Sequence, residues 1–338
     1  MKAILEKRIQ NQSLTKDEAK ATLLNIGQGK CNSHQVAAFL TTYMMRPITV
    51  DELSGFRAAL LDLCIAIDLS DYDPIDLCGT GGDGKDTFNI STLASFVTAG
   101  AGVAVAKHGN YGVSSSCGSS NVMEHLGIRF SNEQDFLQNC IEKAGICVLH
   151  APLFHPAMKH VATIRRDLKL KTFFNMLGPL VNPSKPNKQM VGVFNLELQR
   201  IYRYVLDETN QQYSILHALD GYDEISLTGD TKVVSNRGSV TINAASFGLD
   251  KLEPSQIGGG DSVDAAAAIF MGVLEGKSTE AQKQVVCANA GIAIATAKAC
   301  SSQEGYAHAV ESIESGKALQ ALQTLQQLSA KWISFNRL

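Results

Sequence analysis

After Pro74 the apolar residues of this chain stop recurring every third or fourth position and gather into runs of four or five. Ile75-Asp-Leu-Cys78, Val103-Ala-Val-Ala106, Gly145-Ile-Cys-Val-Leu149 and Ile215-Leu-His-Ala-Leu219 are too short for helices and read as buried strands. Helix-like stretches separate them. Such alternation predicts an α/β fold with a mostly parallel central sheet flanked by helices, because parallel neighbours need a crossover that covers a sheet face. Glycine gathers at the ends of the runs, where an α/β protein places its ligand loops.

Upstream of Pro74 the pattern is helical. Thr15-Lys-Asp-Glu18 and Thr49-Val-Asp-Glu52 each match a capping box, in which both end residues satisfy helix-terminal N–H groups. Val36, Phe39, Leu40, Tyr43 and Met44 form one apolar stripe, and Leu53, Phe56, Leu60, Leu63 and Ile67 form another. A small helical domain is expected over 1–70 and a larger α/β domain over 71–338, joined through Leu69-Ser-Asp-Tyr-Asp-Pro74. A mid-chain segment near 165–185 is expected to pack with the helical domain. The tail should return to helices over 264–272, 282–300 and 307–328.

At 338 residues the chain can bury a large core and a smaller one beside it. Thirty Lys and Arg against 33 Asp and Glu leave a net charge of -3, which argues against a general basic field for nucleic acid. No apolar run reaches the roughly 18 residues that a membrane span needs. Residues 1–10 lack the apolar stretch of a signal peptide, so the expected compartment is the cytoplasm, with no membrane partner. The 8 cysteines are scattered without a C-x-x-C pair and read as reduced core thiols. His150, His155 and His160 are spaced by five, which puts neighbours on different helix faces, so no metal role is expected of them.

Gly79-Thr-Gly-Gly-Asp-Gly84 satisfies the dinucleotide pattern G-x-G-x-x-G directly after a predicted strand. That pattern also requires an acid about twenty residues on, and residues 100–110 contain none. The remaining reading is a glycine loop leading into Asn89-Ile-Ser-Thr92, a helix start whose exposed N–H groups would hold a phosphate. A second glycine- and serine-rich loop, 107–120, follows the next strand. Asp223-Glu224 ends another strand; such a pair is either a solvated turn or, beside a polyphosphate, a Mg²⁺ site. Arg165-Arg166 precedes Phe174-Asn-Met-Leu-Gly-Pro-Leu180. It is either a surface pair or a fork for an aromatic carboxylate.

Several of these segments, taken in order, resemble the anthranilate phosphoribosyltransferase family across nearly the whole chain. They are Asp76-Leu-Cys-Gly-Thr-Gly-Gly-Asp83, Phe88-Asn-Ile-Ser-Thr92, Lys107-His-Gly-Asn110, Ser119, Arg165-Arg166-Asp-Leu168, Phe174-Asn-Met-Leu-Gly-Pro-Leu180 and Gly221-Tyr-Asp-Glu224. The resemblance implies transfer of 5-phosphoribose from phosphoribosyl pyrophosphate (PRPP) to anthranilate in tryptophan biosynthesis, by a cytoplasmic homodimer.

It implies PRPP contacts from Gly79, Gly82, Asp83, Thr87, Asn89, Ile90, Ser91, Thr92, Lys107, His108, Gly109, Asn110, Ser115 and Ser119. Anthranilate would face Gly79, His108, Asn110 and Arg165. Ser91, Asp223 and Glu224 would hold Mg²⁺, two ions per subunit, and Lys107, Asp223, Glu224 and Arg165 would carry the chemistry. The sequence departs from the family pattern at Tyr111, Cys117 and Asn121, where Arg, Ser and Asp are usual. A pyrimidine nucleoside phosphorylase, or a nucleic-acid-binding paralogue, would share the fold.

Overall fold

A computed structural model of the protein describes residues 1–112 and 117–335, with the side chains of 333–335 left aside. Met1–Ile67 and Ala151–Lys185 make one compact unit, and Asp68–His150 with Pro186–Leu338 make the other. No single helix among the described residues is long and apolar enough to cross a membrane. The bent pair Glu280–Lys298 and Ser302–Glu314, apolar enough when taken together, turns by 117°.

The first unit is helical. Helices Lys2–Ile9, Lys16–Gly27, Ser33–Thr42 and Val50–Leu63 come from its first segment, and Ala151–Phe154 and Lys159–Leu168 from its second. Both capping boxes form: Thr15 and Thr49 each accept from the N–H of the Glu three residues on, which reaches back. The two predicted stripes meet through Phe39 and Phe56, both fully buried. Phe173 stacks on Phe56 with ring centroids 4.4 Å apart. The second segment therefore supplies part of this core. It begins at Ala151 rather than near 165, because Ile65 N–H donates to Phe154 O at 2.8 Å and His155 Nε2 meets Val181 O at 2.9 Å.

The second unit is built on seven strands: β1 (Ile75–Gly79), β2 (Val105–Gly109), β3 (Ile146–His150), β4 (Lys188–Gly192), β5 (Gln212–Ala218), β6 (Thr231–Ser235) and β7 (Gly238–Ile242). Their order in the sheet is β3-β2-β1-β4-β5-β6-β7. The first five run parallel, and β6 and β7 add an antiparallel edge. The four apolar runs correspond to β1, β2, β3 and β5, although β2 starts two residues late and continues into Lys107, His108 and Gly109.

Apolar runs did not single out β4, β6 or β7. In β4, Lys188 and Gln189 break the run, and β7 is exposed except at Ile242. Strand β4 matters most, since it places β1 between β2 and β4. Chain order reverses there, and α/β proteins bind ligands beyond the strand ends at such a point. Helix Ile90–Gly100, buried along most of its length, packs against Glu280–Lys298 and Lys317–Phe335. The predicted helix over 307–328 is two helices, Ser302–Glu314 and Lys317–Phe335, divided at Ser315-Gly316.

Candidate active site

Three loops leave the carboxyl ends of β1, β2 and β5, and the second unit brings them together around two carboxylates, the buried Asp223 and the half-buried Glu224. The glycine loop turns at Gly81 and Gly82, both with positive φ, which a side chain would resist. Gly81 N–H thereby donates to Asp223 Oδ2 at 2.8 Å. Asp223 reaches this position only because β1 and β4 end in glycines. A Cβ on Gly79 would lie 2.5 Å from Asp223 Oδ2, and one on Gly192 would lie 1.5 Å from Asp223 O.

Glu224 caps the helix that follows the glycine loop. Its Oε1 accepts from Ser91 N–H at 3.1 Å and its Oε2 from Thr87 Oγ1 at 3.3 Å. The side chain of Asn89, the residue before the helix, instead donates to Cys117 O at 3.0 Å and leaves its own Oδ1 buried without a partner. Ile90 and Thr92 are buried in the first turn. Asp83 completes the acidic group: its Oδ2 accepts from Asp223 N–H at 3.4 Å and its Oδ1 from Lys85 N–H at 3.1 Å.

The electrostatics of this cluster are unbalanced. Burial, then the charge of Asp83, pushes the Asp223 carboxyl up to about 7. Burial, then Asp223 and Asp83, pushes Glu224 well above the usual carboxylate range. Two adjacent carboxylates cannot both stay ionised in a dry site without a cation. The residues therefore fit a divalent ion. Among the described residues no three His, Cys, Asp or Glu side chains are placed to hold a metal ion by themselves. The Asp223–Glu224 pair still suits Mg²⁺, which takes one or two carboxylates and completes its shell with phosphate oxygens and water.

Lys107 is held inside the unit by a backbone carbonyl. It is 1 % exposed, and its Nζ donates to Leu77 O at 2.7 Å, beneath the glycine loop. Burial lowers its pKa, while the charges of Asp76, Cys78 and Glu224 oppose that shift. His108 N–H donates to Asp76 Oδ1 at 3.1 Å. Asn110 O accepts from Ser119 Oγ at 3.2 Å and from Ser120 N–H at 3.1 Å, which ties the start of the second loop to its end. Gly109 fits under Ser119, where a Cβ would come within 2.6 Å of Oγ. Ser115 lies outside the described residues.

Arg165 belongs to the helical unit. Its guanidinium sits 5.3 Å from the Phe174 ring centroid, and Nη2 donates to Asn175 Oδ1 at 3.5 Å. Burial lowers its pKa, but a guanidinium stays charged. The half-buried guanidinium thus lies against an aromatic face of its own unit. Arg166, in contrast, is exposed beside Asp167.

Residues 71–319 match the glycosyl transferase family a/b domain, and residues 2–64 match that family's helical bundle domain. The anthranilate phosphoribosyltransferase of Flavobacterium johnsoniae is 63% identical over 97% of this chain and 100% of its own. The chain belongs to the anthranilate phosphoribosyltransferase family. The enzyme of that name from Thermus thermophilus superposes with a TM-score of 0.90 at 31% identity, covering 96% of this chain and 99% of its own. The Saccharomyces cerevisiae enzyme, solved in complex with PRPP and Mg, gives 0.89 at 27% identity, with 97% of each chain covered.

Within this family frame, two residues that sequence reasoning gave no role stand close to the site. Asp76, fully buried in β1, accepts the His108 N–H and lies 3.6 Å by its Oδ2 from the Cys78 thiol. An acid inside an apolar strand was the available signal. Asn289, 1 % exposed, lies in helix Glu280–Lys298 and bonds the backbone next to Glu224. Its signal was a lone amide in the run Val286-Cys-Ala-Asn-Ala290.

Proposed function

We propose that this protein transfers the 5-phosphoribosyl group of PRPP to the amino group of anthranilate, releasing pyrophosphate, as a step of tryptophan biosynthesis. The observation that carries this reading is the meeting of a glycine loop, a helix N-terminus and the Asp223–Glu224 pair at the switch point of the sheet. Family membership supports it along the whole chain.

The nucleophile is an aryl amine, already neutral at neutral pH, so the site needs no strong base. The difficult part is departure of pyrophosphate from a ribose that gains oxocarbenium character, and it calls for fixed positive groups around the leaving oxygens. N–H groups of Gly82, Ile90, Ser91 and Thr92 and the hydroxyls of Thr87 and Ser119 would supply donors in exchange for their partners within the fold. Those partners are Glu224 for Ser91 and Thr87, Phe88 O for Ile90, Asn89 O for Thr92 and Asn110 O for Ser119. Asp83, Asn89, His108 and Gly109 line the same edge. Mg²⁺, which we assign to Ser91, Asp223 and Glu224 as two ions per subunit, neutralises pyrophosphate charge when bound.

Lys107 adds a fixed positive charge from beneath, held there by Leu77 O. On the family resemblance alone, Arg165 would pair with the anthranilate carboxylate, and Asn110, His108 and the Gly79 backbone would face anthranilate. Attack opposite the leaving group inverts the anomeric carbon. We assign the protein to the cytoplasm as a homodimer, on the family resemblance alone.

Loss of anthranilate fluorescence, dependent on both PRPP and Mg²⁺, tests the reaction. A PRPP-independent phosphorolysis of pyrimidine nucleosides would replace it with the phosphorylase reading. Arg165→Ala should raise the anthranilate KM about 10- to 100-fold, as for loss of a hydrogen bond to a charged group. An unchanged anthranilate KM with a raised PRPP KM would move Arg165 to the phosphate side.

A further inference from the structure

The side chain of Asn289 holds the segment that carries Asp223 and Glu224 at the next residue, Ile225. Asn289 stands on helix Glu280–Lys298, sixty-four positions further along the chain from Ile225. Its Oδ1 accepts from Ile225 N–H at 3.0 Å, and its Nδ2 donates to Ile225 O at 2.9 Å. The second Nδ2 hydrogen goes to Val285 O at 2.9 Å, one turn back on its own helix. This pattern also fixes the amide orientation, since a flipped amide would set its NH₂ against the Ile225 N–H.

Ile225 directly follows Glu224 and is fully buried, so neither of its backbone groups can turn to water instead. Two residues further, Leu227 is fully buried with φ +60, an uncommon conformation for a side chain of its kind. Leu227 O accepts from Leu252 N–H at 3.0 Å, and Thr228 Oγ1 donates to Ser226 Oγ at 2.8 Å. The chain after Glu224 is thus clamped, and Asn289 is the clamp nearest the carboxylates. On their other side, the close approach of Asp223 to Gly79 and Gly192 leaves no room for adjustment.

We infer that Asn289 is a positioning residue, which sets the Glu224 and Asp223 carboxylates at the spacing a phosphate-bound divalent cation requires. It touches neither substrate nor metal; it acts through the Ile225 peptide. The inference rests on the reading of Asp223 and Glu224 as metal-holding groups. Partners of this kind, one step behind the ligands, typically cost about 10- to 100-fold in metal affinity or activity when removed.

The experiment compares Asn289→Ser, Asn289→Asp and a control, Ile292→Ala, on the full-length protein. Ile292 is buried on the same helix three positions on, so its truncation destabilises the helix in the same region without removing the amide that bonds Ile225. Mn²⁺ binding in the presence of PRPP, followed by electron paramagnetic resonance, and the Mg²⁺ midpoint of activity are measured for each. Both Asn289 variants should raise the metal midpoints by about tenfold or more, with little change in the anthranilate KM. Ile292→Ala should lower Tm and leave both midpoints at the wild-type value.

Asn289→Asp keeps an acceptor for Ile225 N–H and should fold where Asn289→Ser is too unstable. If all three variants shift the midpoints alike, or the Asn289 variants lose only Tm, Asn289 is structural and the inference is overturned. Failure of the wild-type protein to bind Mn²⁺ with PRPP would instead overturn the metal assignment beneath it.

Discussion

The helical unit and the α/β unit each bury acidic side chains, and they balance them in opposite ways. In the helical unit, Glu52 is fully buried but surrounded by donors. Arg8 Nη1 lies 2.5 Å from Oε1, and Leu14 N–H, Tyr43 OH and Thr49 N–H complete the shell at 3.0 Å each. Arg8 is itself buried, with its guanidinium 3.9 Å from the Tyr43 ring centroid. The Glu52 charge has its counterpart within the fold, although Arg8 Nε and Nη2 stay buried without a partner. In the α/β unit, Asp223 is buried and Glu224 half-buried beside Asp83. They accept hydrogen bonds from the neutral donors of Gly81, Ser91 and Thr87, and Lys107 stands near Glu224 without a hydrogen bond to it. A complete charge shell marks a structural device, and an incomplete one marks a place where a ligand finishes the electrostatics.

The largest effect should come from removing the incomplete pair. Asp223→Asn combined with Glu224→Gln should lower kcat/KM by on the order of 10³-fold, with several kcal/mol of transition-state stabilisation lost. Stability in the absence of Mg²⁺ should hold or rise, because two adjacent carboxylates, one of them buried, are gone. If the double variant keeps the wild-type Mg²⁺ titration, these are ordinary buried turn acids and the contrast between the units collapses.

Glu52→Gln should give the converse result. Breaking a buried pair from one side typically costs about 3–5 kcal/mol, because Arg8 is left without its counter-charge. Urea unfolding should show that loss while kcat of the folded protein stays near wild type.

A third test uses pH. His155 is buried beside Val181 O, and burial pushes its pKa down to about 4. The unfolded chain takes up a proton near the ordinary value of about 6.5, while the folded one resists until about 4. The stability His155 contributes is therefore complete above about 6.5 and is lost as pH falls toward 4, by roughly 3 kcal/mol at the acid end. His155→Gln should flatten that part of the stability curve; an unaltered slope would mean other groups set it.

The smallest effect belongs to Tyr111. Its ring packs edge-on to His150 at 4.8 Å, which in turn stacks on Phe130 at 4.4 Å, and its hydroxyl donates to Glu124 Oε2 at 3.3 Å. With 40 % exposure, the position can accept the family's Arg, which Glu124 could pair. Tyr111→Arg should change the PRPP KM by less than about tenfold and leave kcat nearly unchanged. A collapse of kcat would give the His150 stack a part in the reaction.

Several features of the protein were legible in the sequence because they depend on local chemistry. Thr15–Glu18 and Thr49–Glu52 cap their helices from within one turn, and the runs of β1, β2, β3 and β5 announce themselves by apolar content. The glycine loop and the Asp223–Glu224 pair were visible as composition, and the resemblance gave them roles. Tertiary structure alone decided the rest, since burial and pairing are properties of neighbours far away in sequence. It inserted β4 between β1 and β5, which created the switch point and set Gly192 against Asp223. It turned Lys107 beneath the loop toward Leu77, where a residue of type Lys would otherwise reach for solvent or phosphate. And it brought Asn289 under Ile225 across sixty-four positions, a contact that no periodicity or spacing encodes because it exists only once helix and loop are packed.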